Sequence, residues 1–469
     1  MSHDLDRAKK HRTDHLKDLL QRLIHGGSEK QYHYFFQRYH EADIADALET
    51  LSDEDKQQFF QYVSPQKGVD VLEEMELEQQ IPLISEIKTE LAAKYITEME
   101  PDDAADLFEE LYEEDEKKAT EIMDALPKEE AADIQELLSY EEGSAGSIMT
   151  SEFVWIPEDL TVKEALDHIK AQNPPESEVA FYIFITDENK RLRGYTTLRN
   201  LLMSQLTDDV QDMRHDYPIK VYVEDDQESV ARTFQKYDLA VIPVIDHESH
   251  LVGIVTVDDV VDVVVDEATE DLYKLSGTSE IGESKLLSGR LIYSIQSRLP
   301  WLVLTILGGI VASYIIKIYS VHYHDQNISL VLVLSFVPLL MGLGGNIGNQ
   351  SSTIMVRGLA TGLLKERYPL TYIMRELCIG FSIGLIVAFL LFIFTVSTGH
   401  SYLFSIIVSV SLLTIMTVAA LIGSALPIIF NKLNIDPAVA SAPFISSTLD
   451  IVGQLIYFSM TIYFILLIT

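Results

Sequence analysis

One carboxylate, Asp450, stands inside an otherwise apolar run, with Ser446, Ser447 and Thr448 just ahead of it. A charge in hydrocarbon is costly, so by default it marks a polar cavity or an ion path rather than a lipid-facing surface. The hydroxyls and the acid together offer oxygen ligands, and a hard cation such as Mg2+ takes one carboxylate plus carbonyls while keeping part of its water. A lone membrane Asp also serves proton relays, and the residue types leave both chemistries open. One acid per chain is thin for a divalent ion. A homodimer with two such segments facing each other would bring two carboxylates to one axis.

Two further stretches belong with Asp450. Asp436-Pro437-Ala438 has the pattern that opens a helix, Asp as the cap and Pro in the first turn, so Asp436 reads either as a cap or as a ligand. Pro338 to Thr353 contains Gly344, Gly345, Asn346, Gly348, Asn349 and Gln350, which is too rich in Gly and amides for a lipid-facing helix. Irregular backbone is tolerated at membrane depth in a protein interior or along a wet cavity. Close helix packing explains the glycines but not the three amides together.

These residues need membrane-spanning elements to position them. Apolar windows long enough to cross about 30 Å of hydrocarbon fall at 300–319, 329–346, 374–397, 402–430 and 439–468. Lys285, Arg290 and Arg298 precede the first; Arg357, Lys365, Arg367 and Arg375 separate the second from the third; Lys432 separates the fourth from the fifth. Loops 320–328 and 398–401 carry His322, His324, Asp325 and His400 instead, with only Lys317 nearby. The positive-inside rule therefore predicts a multi-pass protein of the cell membrane with a cytosolic N-terminus and an outside C-terminus. The first residues lack a secretory signal pattern. Cys378 is the single cysteine, so no internal disulfide is expected.

Charge divides the chain. The total is -37, with 67 of 72 carboxylates in residues 1–288 and five in the remainder. Such acidity disfavours nucleic acid and anionic surfaces as partners and concentrates cations. Within the acidic part, residues 144–268 repeat. Ile148-Met149-Thr150, Thr161 to Leu166, Ala180 to Ile185 and Gly194 to Asn200 align with Asp212-Met213-Arg214, Asp226 to Ala231, Ala240 to Ile245 and Gly253 to Asp259. A period of about 60 residues, each strand–helix–strand–strand–helix, resembles a tandem pair of CBS domains. That resemblance implies adenine-nucleotide binding, with hydroxyls after the Gly near phosphate and a final Asp on the ribose. The second copy keeps Thr256 and Asp259; the first has Thr196, Thr197 and Arg199 but Asn200 in place of the Asp.

Upstream, about 20–140 reads as short amphipathic helices in an irregular superhelix. Asp102 and Asp106 share a helix face there, either as a solvated face or around a shared cation. Acids from Asp258 to Asp271 lie on a helical stretch leading into the first span, where two such segments in a dimer would repel until neutralised.

The order helical superhelix, CBS pair, acidic connecting helix and five spans, with Gly344 to Gln350, Asp436-Pro437-Ala438 and Thr448-Leu449-Asp450, resembles the MgtE family of magnesium channels. The resemblance covers nearly the whole chain. It implies domains at 1–140 (helical), 144–205 and 206–268 (CBS), 269–298 (connecting helix) and 299–469 (pore). It further implies a homodimer in membrane lipid, with the pore at the subunit interface, lined by the second and fifth spans, and Mg2+ passing at least partly hydrated. Asp450 matches the family's selectivity carboxylate, the Ala438–Pro443 region its pore, and Asn346, Asn349 and Asp436 lie in its two membrane motifs. Closure at high cytosolic Mg2+ would use Asp70, Asp102 and Asp106 facing Asp226, Glu228, Asp238, Asp259, Asp262, Glu267, Glu270 and Asp271. A regulatory ATP would sit at Tyr182, Thr196, Arg199 and Asn200. No hydrolytic motif or catalytic dyad is present, so no enzyme is expected. A coupled exchanger of Mg2+ or Co2+ against H+ or Na+ would use the same Asp450, and a sensor without transport would leave it dispensable.

Overall fold

The computed structural model describes residues 2–172, 181–216, 219–278, 291–325, 330–364 and 369–466. Ala180, Lys285, Arg290, Lys365 and Arg367, named above, lie outside them. The chain divides into two compact units, Met1–Val264 and Val265–Thr469.

The first unit begins with helices α1 (Ser2–Gly26), α2 (Glu29–Phe36), α3 (Glu41–Glu49), α4 (Asp53–Tyr62), α5 (Pro65–Glu73), α6 (Leu77–Glu86), α7 (Thr89–Thr97), α8 (Pro101–Met123) and α9 (Lys128–Leu137). Local sequence sets their starts: Ser52 accepts a bond from Asp55 N–H, and Pro65 and Pro101 occupy first turns. Each helix buries one stripe, and Leu48, Phe59, Phe60, Tyr95 and Phe108 join in a continuous core. Tyr95 is fully buried, and its hydroxyl donates to Phe60 O at 2.6 Å, which satisfies the one polar atom it carries inside.

The two copies of the repeat that resembles a CBS pair follow. The first is β1 (Trp155–Pro157), α10 (Val162–Gln172), β2 (Tyr182–Thr186), β3 (Leu192–Thr197) and α11 (Leu198–Met203). The second is β4 (Val221–Tyr222), α12 (Gln227–Tyr237), β5 (Val241–Ile245), β6 (Leu251–Thr256) and α13 (Val257–Ser276). Sheet order is β1-β2-β3 and β4-β5-β6, the first pair parallel and the second antiparallel in each. Both copies carry a register shift at the same place, Ile185/Thr186 and Val244/Ile245. The expected duplication is thus present down to its irregularity.

The second unit contains α14 (Leu291–Asp325), α15 (Leu330–Ser335), α16 (Val337–Ala360), α17 (Pro369–Ser397), α18 (Tyr402–Lys432) and α19 (Ala442–Leu466). Among the described residues, five helical segments are long and apolar enough to cross a membrane. Several expectations need correction. The Gly-rich stretch is regular helix throughout α16, and the break lies before it at Phe336, ahead of Pro338. Asp436-Pro437-Ala438 forms one 3-10 turn rather than the start of a long helix; Asp436 caps it, accepting from Ala438 N–H at 2.8 Å, and α19 begins at Ala442. The first span runs on to Asp325, well into the expected loop, because nothing before Gln326 breaks the helix. The acidic stretch is helical as expected, from Val257 directly after the last strand of the second copy.

The glycines serve close packing. A Cβ on Gly423 of α18 would lie 2.2 Å from the carbonyl oxygen of Gly348 on α16, and one on Gly348 would lie 2.3 Å from Leu449 of α19. Backbone cannot withdraw as a side chain can. Gly423→Val should therefore separate α16 from α18 and cost about 3 kcal/mol or more. Thermal unfolding of the purified protein would read this as a lowered midpoint, and an unchanged midpoint would contradict the contact.

Candidate functional site

The membrane unit gathers its polar side chains between α16, α17 and α19. Asn349 donates from Nδ2 to Ser446 Oγ at 3.2 Å, Ser352 Oγ donates to Ala440 O at 3.0 Å, and Ser351 Oγ donates to Glu376 Oε2 at 2.9 Å. These bonds fix α16 to the turn before α19 and to α19 itself. Asp450 follows Ser446 by one turn on the same face and is half-buried. Among the described residues no Lys or Arg is paired with it. On α19 Ser447 Oγ and Gln454 Oε1, three residues before and four after Asp450, and on α16 Asn349 Oδ1, are buried without hydrogen-bond partners among the described residues. Buried oxygens with no donor are rare and costly. A hydrated cation beside Asp450 would supply what they lack.

The sequence-selected pore residues separate here. Asn349 reaches α19, whereas Asn346 is exposed on α16 and Ala438 is fully buried in the 3-10 turn. Pro443 packs against Gly277 at the end of α13, so closely that a Cβ there would lie 2.3 Å from its Cγ. Asp436 is bound by Lys274 Nζ at 2.9 Å, and the same ammonium pairs with Glu270. Burial pulls the Lys274 pKa down, but the bonds to Glu270 and Asp436 more than reverse this and leave it raised. Asp271 is raised by burial and then by Asp436. Reading the sequence for acids alone missed Lys274; its place four residues after Glu270 was the available signal. It also missed Glu376, a membrane carboxylate like Asp450 and discoverable by the same rule.

In the first unit, some of the expected acids converge. Asp102 is buried, its Oδ1 has no partner, and its carboxyl is pushed well up by burial and then by Asp259, Asp103 and Glu100. Asp259 accepts from Thr256 Oγ1 and is raised to about 6, chiefly by burial. Glu73 is raised to about 7 by burial, although it accepts from Glu100 N–H at 3.1 Å. These carboxylates come from α5, the start of α8 and the start of α13, so the helical superhelix and the second CBS copy meet at an acidic seam. Asp106 adds to the charge at Asp103, and Asp262 adds to that at Asp259.

Other members of the expected sensor have local roles. Asp70 pairs with Lys67 at 2.7 Å; Asp226 caps α12 by accepting from Glu228 and Ser229 N–H; Glu228 pairs with Arg232 at 3.0 Å. Asp238 is the left-handed C-cap of α12, φ 51°. Glu267 lies in α13 within the second unit, with Glu270 and Asp271. Among the described residues no three His, Cys, Asp or Glu side chains form a ready metal cage.

The first CBS copy holds a cavity of about 420 Å3 lined by Tyr182, Arg199, Asn200, Tyr195, Thr197 and His215, with Phe181 at its rim. Three of the four residues expected for a nucleotide are there. Thr196 is not: it is fully buried on the opposite face of β3, and the period of two hands its place to Thr197. Asn200 is held by a bond to His215 at 3.2 Å.

Comparison with known proteins matches each part. Residues 337–460 match the family model MgtE, described as a divalent cation transporter; 39–143 match the MgtE intracellular N domain; 145–206 and 209–266 match CBS domains. The magnesium transporter MgtE of Thermus thermophilus is 38% identical over 68% of this chain and 70% of its own. That of Bacillus subtilis is 34% identical over 70% of this chain and 71% of its own. Among solved structures, the soluble part of a magnesium transporter is 33% identical, covering 55% of this chain and 99% of its own, with a TM-score of 0.51.

Proposed function

The chain belongs to the MgtE family, and from that premise we propose that it carries Mg2+ across the cell membrane down its electrochemical gradient, closed by cytosolic Mg2+. The observation that carries the reading is Asp450, a membrane carboxylate with no cationic partner among the described residues, on a helix that also carries the buried, donor-less oxygens of Ser447 and Gln454 and is bonded through Ser446 to Asn349. A partly hydrated Mg2+ offers donors through its water and charge for the acid, the arrangement this ion favours. Two copies related by a twofold axis would set two Asp450 side chains against one ion and match its charge. Asn349 and Ser446 then position the path, while Glu376 and Ser352 hold α16 and the turn before α19 in register.

Regulation is proposed at the acidic seam. Uncompensated, Asp102, Asp259 and Glu73 resist ionisation where they lie. A divalent ion there relieves their repulsion and draws the superhelix onto the second CBS copy. The cavity at Tyr182, Thr197, Arg199 and Asn200 is proposed to take an adenine nucleotide, with Arg199 on phosphate and Asn200 on the ribose. Arg199→Ala should weaken ATP binding about tenfold or more. Calorimetry on the purified chain checks it, and equal affinity in both proteins would remove the site.

The transport reading is tested in proteoliposomes loaded with a Mg2+-sensitive dye at clamped voltage. Flux that persists with H+ and Na+ gradients collapsed fits a channel. Flux that vanishes with either gradient replaces it by a coupled exchanger, and no flux under any gradient leaves a sensor.

A further inference from the structure

Four polar side chains of the membrane unit line one cavity and, among the described residues, make no hydrogen bond to the protein. Asn431 and Lys432 end α18, Asn434 follows in the left-handed conformation (φ 55°), and Tyr372 lies in the first turn of α17. The cavity measures about 310 Å3, and its floor is apolar, with Leu359 and Ile428. Among the described residues none of the four side chains has a hydrogen-bond or ion-pair partner. Among the described residues no carboxylate lines it. The backbone there is fixed: Leu433 and Ile435 N–H groups bond to Ile429 and Phe430 carbonyls at 3.1 and 2.9 Å. Asn431, Lys432 and Asn434 therefore sit on a fixed helix end, not on a loose loop.

An ammonium, two carboxamides and a phenol make a donor set for anionic oxygen, and Lys supplies a point charge suited to phosphate. The apolar floor asks for more than an inorganic ion. Leu363, Leu370, Met374 and Leu433 are all exposed nearby on the same ends of the helices, where an acyl chain could lie. We propose that this cavity binds the phosphodiester head group of an anionic phospholipid, with Lys432 on the phosphate and Asn431, Asn434 and Tyr372 donating to its oxygens. A lysine that merely snorkels to the interface is common. Three further polar side chains converging on the same cavity are what a simple snorkel would not require. Basic pockets between membrane helices take acidic head groups by this chemistry.

The test reads lipid occupancy, so it is independent of any transport result. The full chain would be purified in detergent and examined by native mass spectrometry with phosphatidylglycerol, with phosphatidylcholine of the same acyl chains, and with inorganic phosphate. The wild type should retain phosphatidylglycerol in preference to phosphatidylcholine. Lys432→Gln should lose that retention roughly tenfold, the weight of one charge-assisted hydrogen bond. Lys317→Gln, with the same change of charge on α14, should leave it intact. Tyr372→Phe, which removes only a hydroxyl, should show a smaller loss and guards against misfolding in Lys432→Gln. Equal retention by the wild type and both cavity variants overturns the proposal. An equal loss in Lys317→Gln overturns it in favour of diffuse attraction, and displacement of the lipid by millimolar phosphate overturns it in favour of a free-anion site.

Discussion

Asp450→Ala is expected to reduce Mg2+ flux in proteoliposomes on the order of a hundredfold, the consequence of deleting a charged ligand with nothing to replace it. In cells it should fail to rescue a strain deficient in magnesium transport. The substitution should not unfold the protein. Asp450 is half-buried in an apolar helix without a cationic partner, so removing its charge takes away an expensive group and should leave thermal stability equal or higher. A loss of flux with preserved unfolding temperature therefore separates a broken path from a broken fold. Asp450→Asn keeps the size and one acceptor oxygen but not the charge. It should remain near the Ala variant if charge matching governs passage, and near wild type if the seam of oxygens is enough. Wild-type rescue by Asp450→Ala would remove the pore assignment altogether.

Millimolar Mg2+ should protect the stretch around Val257 to Tyr273 from proteolysis, and Asp102→Asn combined with Asp259→Asn should make that protection independent of Mg2+. The reason lies in the raised carboxyls of the acidic seam. Asp259 at about 6 and Glu73 at about 7 bind protons more tightly in the folded protein than in the unfolded chain, and Asp102 is raised in the same sense. Their contribution is fully present below the ordinary carboxylate range and is lost as pH rises through 6 to 7. Without divalent ions the first unit should then lose several °C of unfolding midpoint, on the order of 2–4 °C per kcal/mol, between about pH 5 and pH 8. Mg2+ should flatten that dependence by taking the proton's place. A midpoint that rises with pH over this interval, or cleavage unchanged by Mg2+, would overturn the seam as the sensor. The double Asn variant distinguishes the causes, because neutral amides remove the repulsion at every pH.

Much of the architecture was legible because its signals are local. The CBS duplication follows from two apolar strands with a Gly-centred turn between them, repeated at about 60 residues, and both sheets form in the same order with the same irregularity. The spans follow from length and hydropathy. Boundaries were less legible. Asp436-Pro437 reads as a helix start in any local scheme, yet the structure gives a 3-10 turn, with Ala438 buried and Ala440 O bonded to Ser352 of α16. A contact with residues 88 positions away decides that ending. Thr196 and Thr197 were indistinguishable until the strand placed one on each face.

Residue type alone identified Asp450, since an acid among apolar residues carries its own cost and needs no partner to be noticed. Charge density alone marked the first 288 residues as a strongly acidic part that concentrates cations. Tertiary structure decided which acids meet. Asp102 and Asp259 are 157 positions apart in sequence and feel each other's charge, while Asp226, Glu228 and Asp238 resolve into caps and a local ion pair. Electrostatic coupling depends on distance in space and on the water excluded between charges, and neither quantity is written in a one-dimensional pattern.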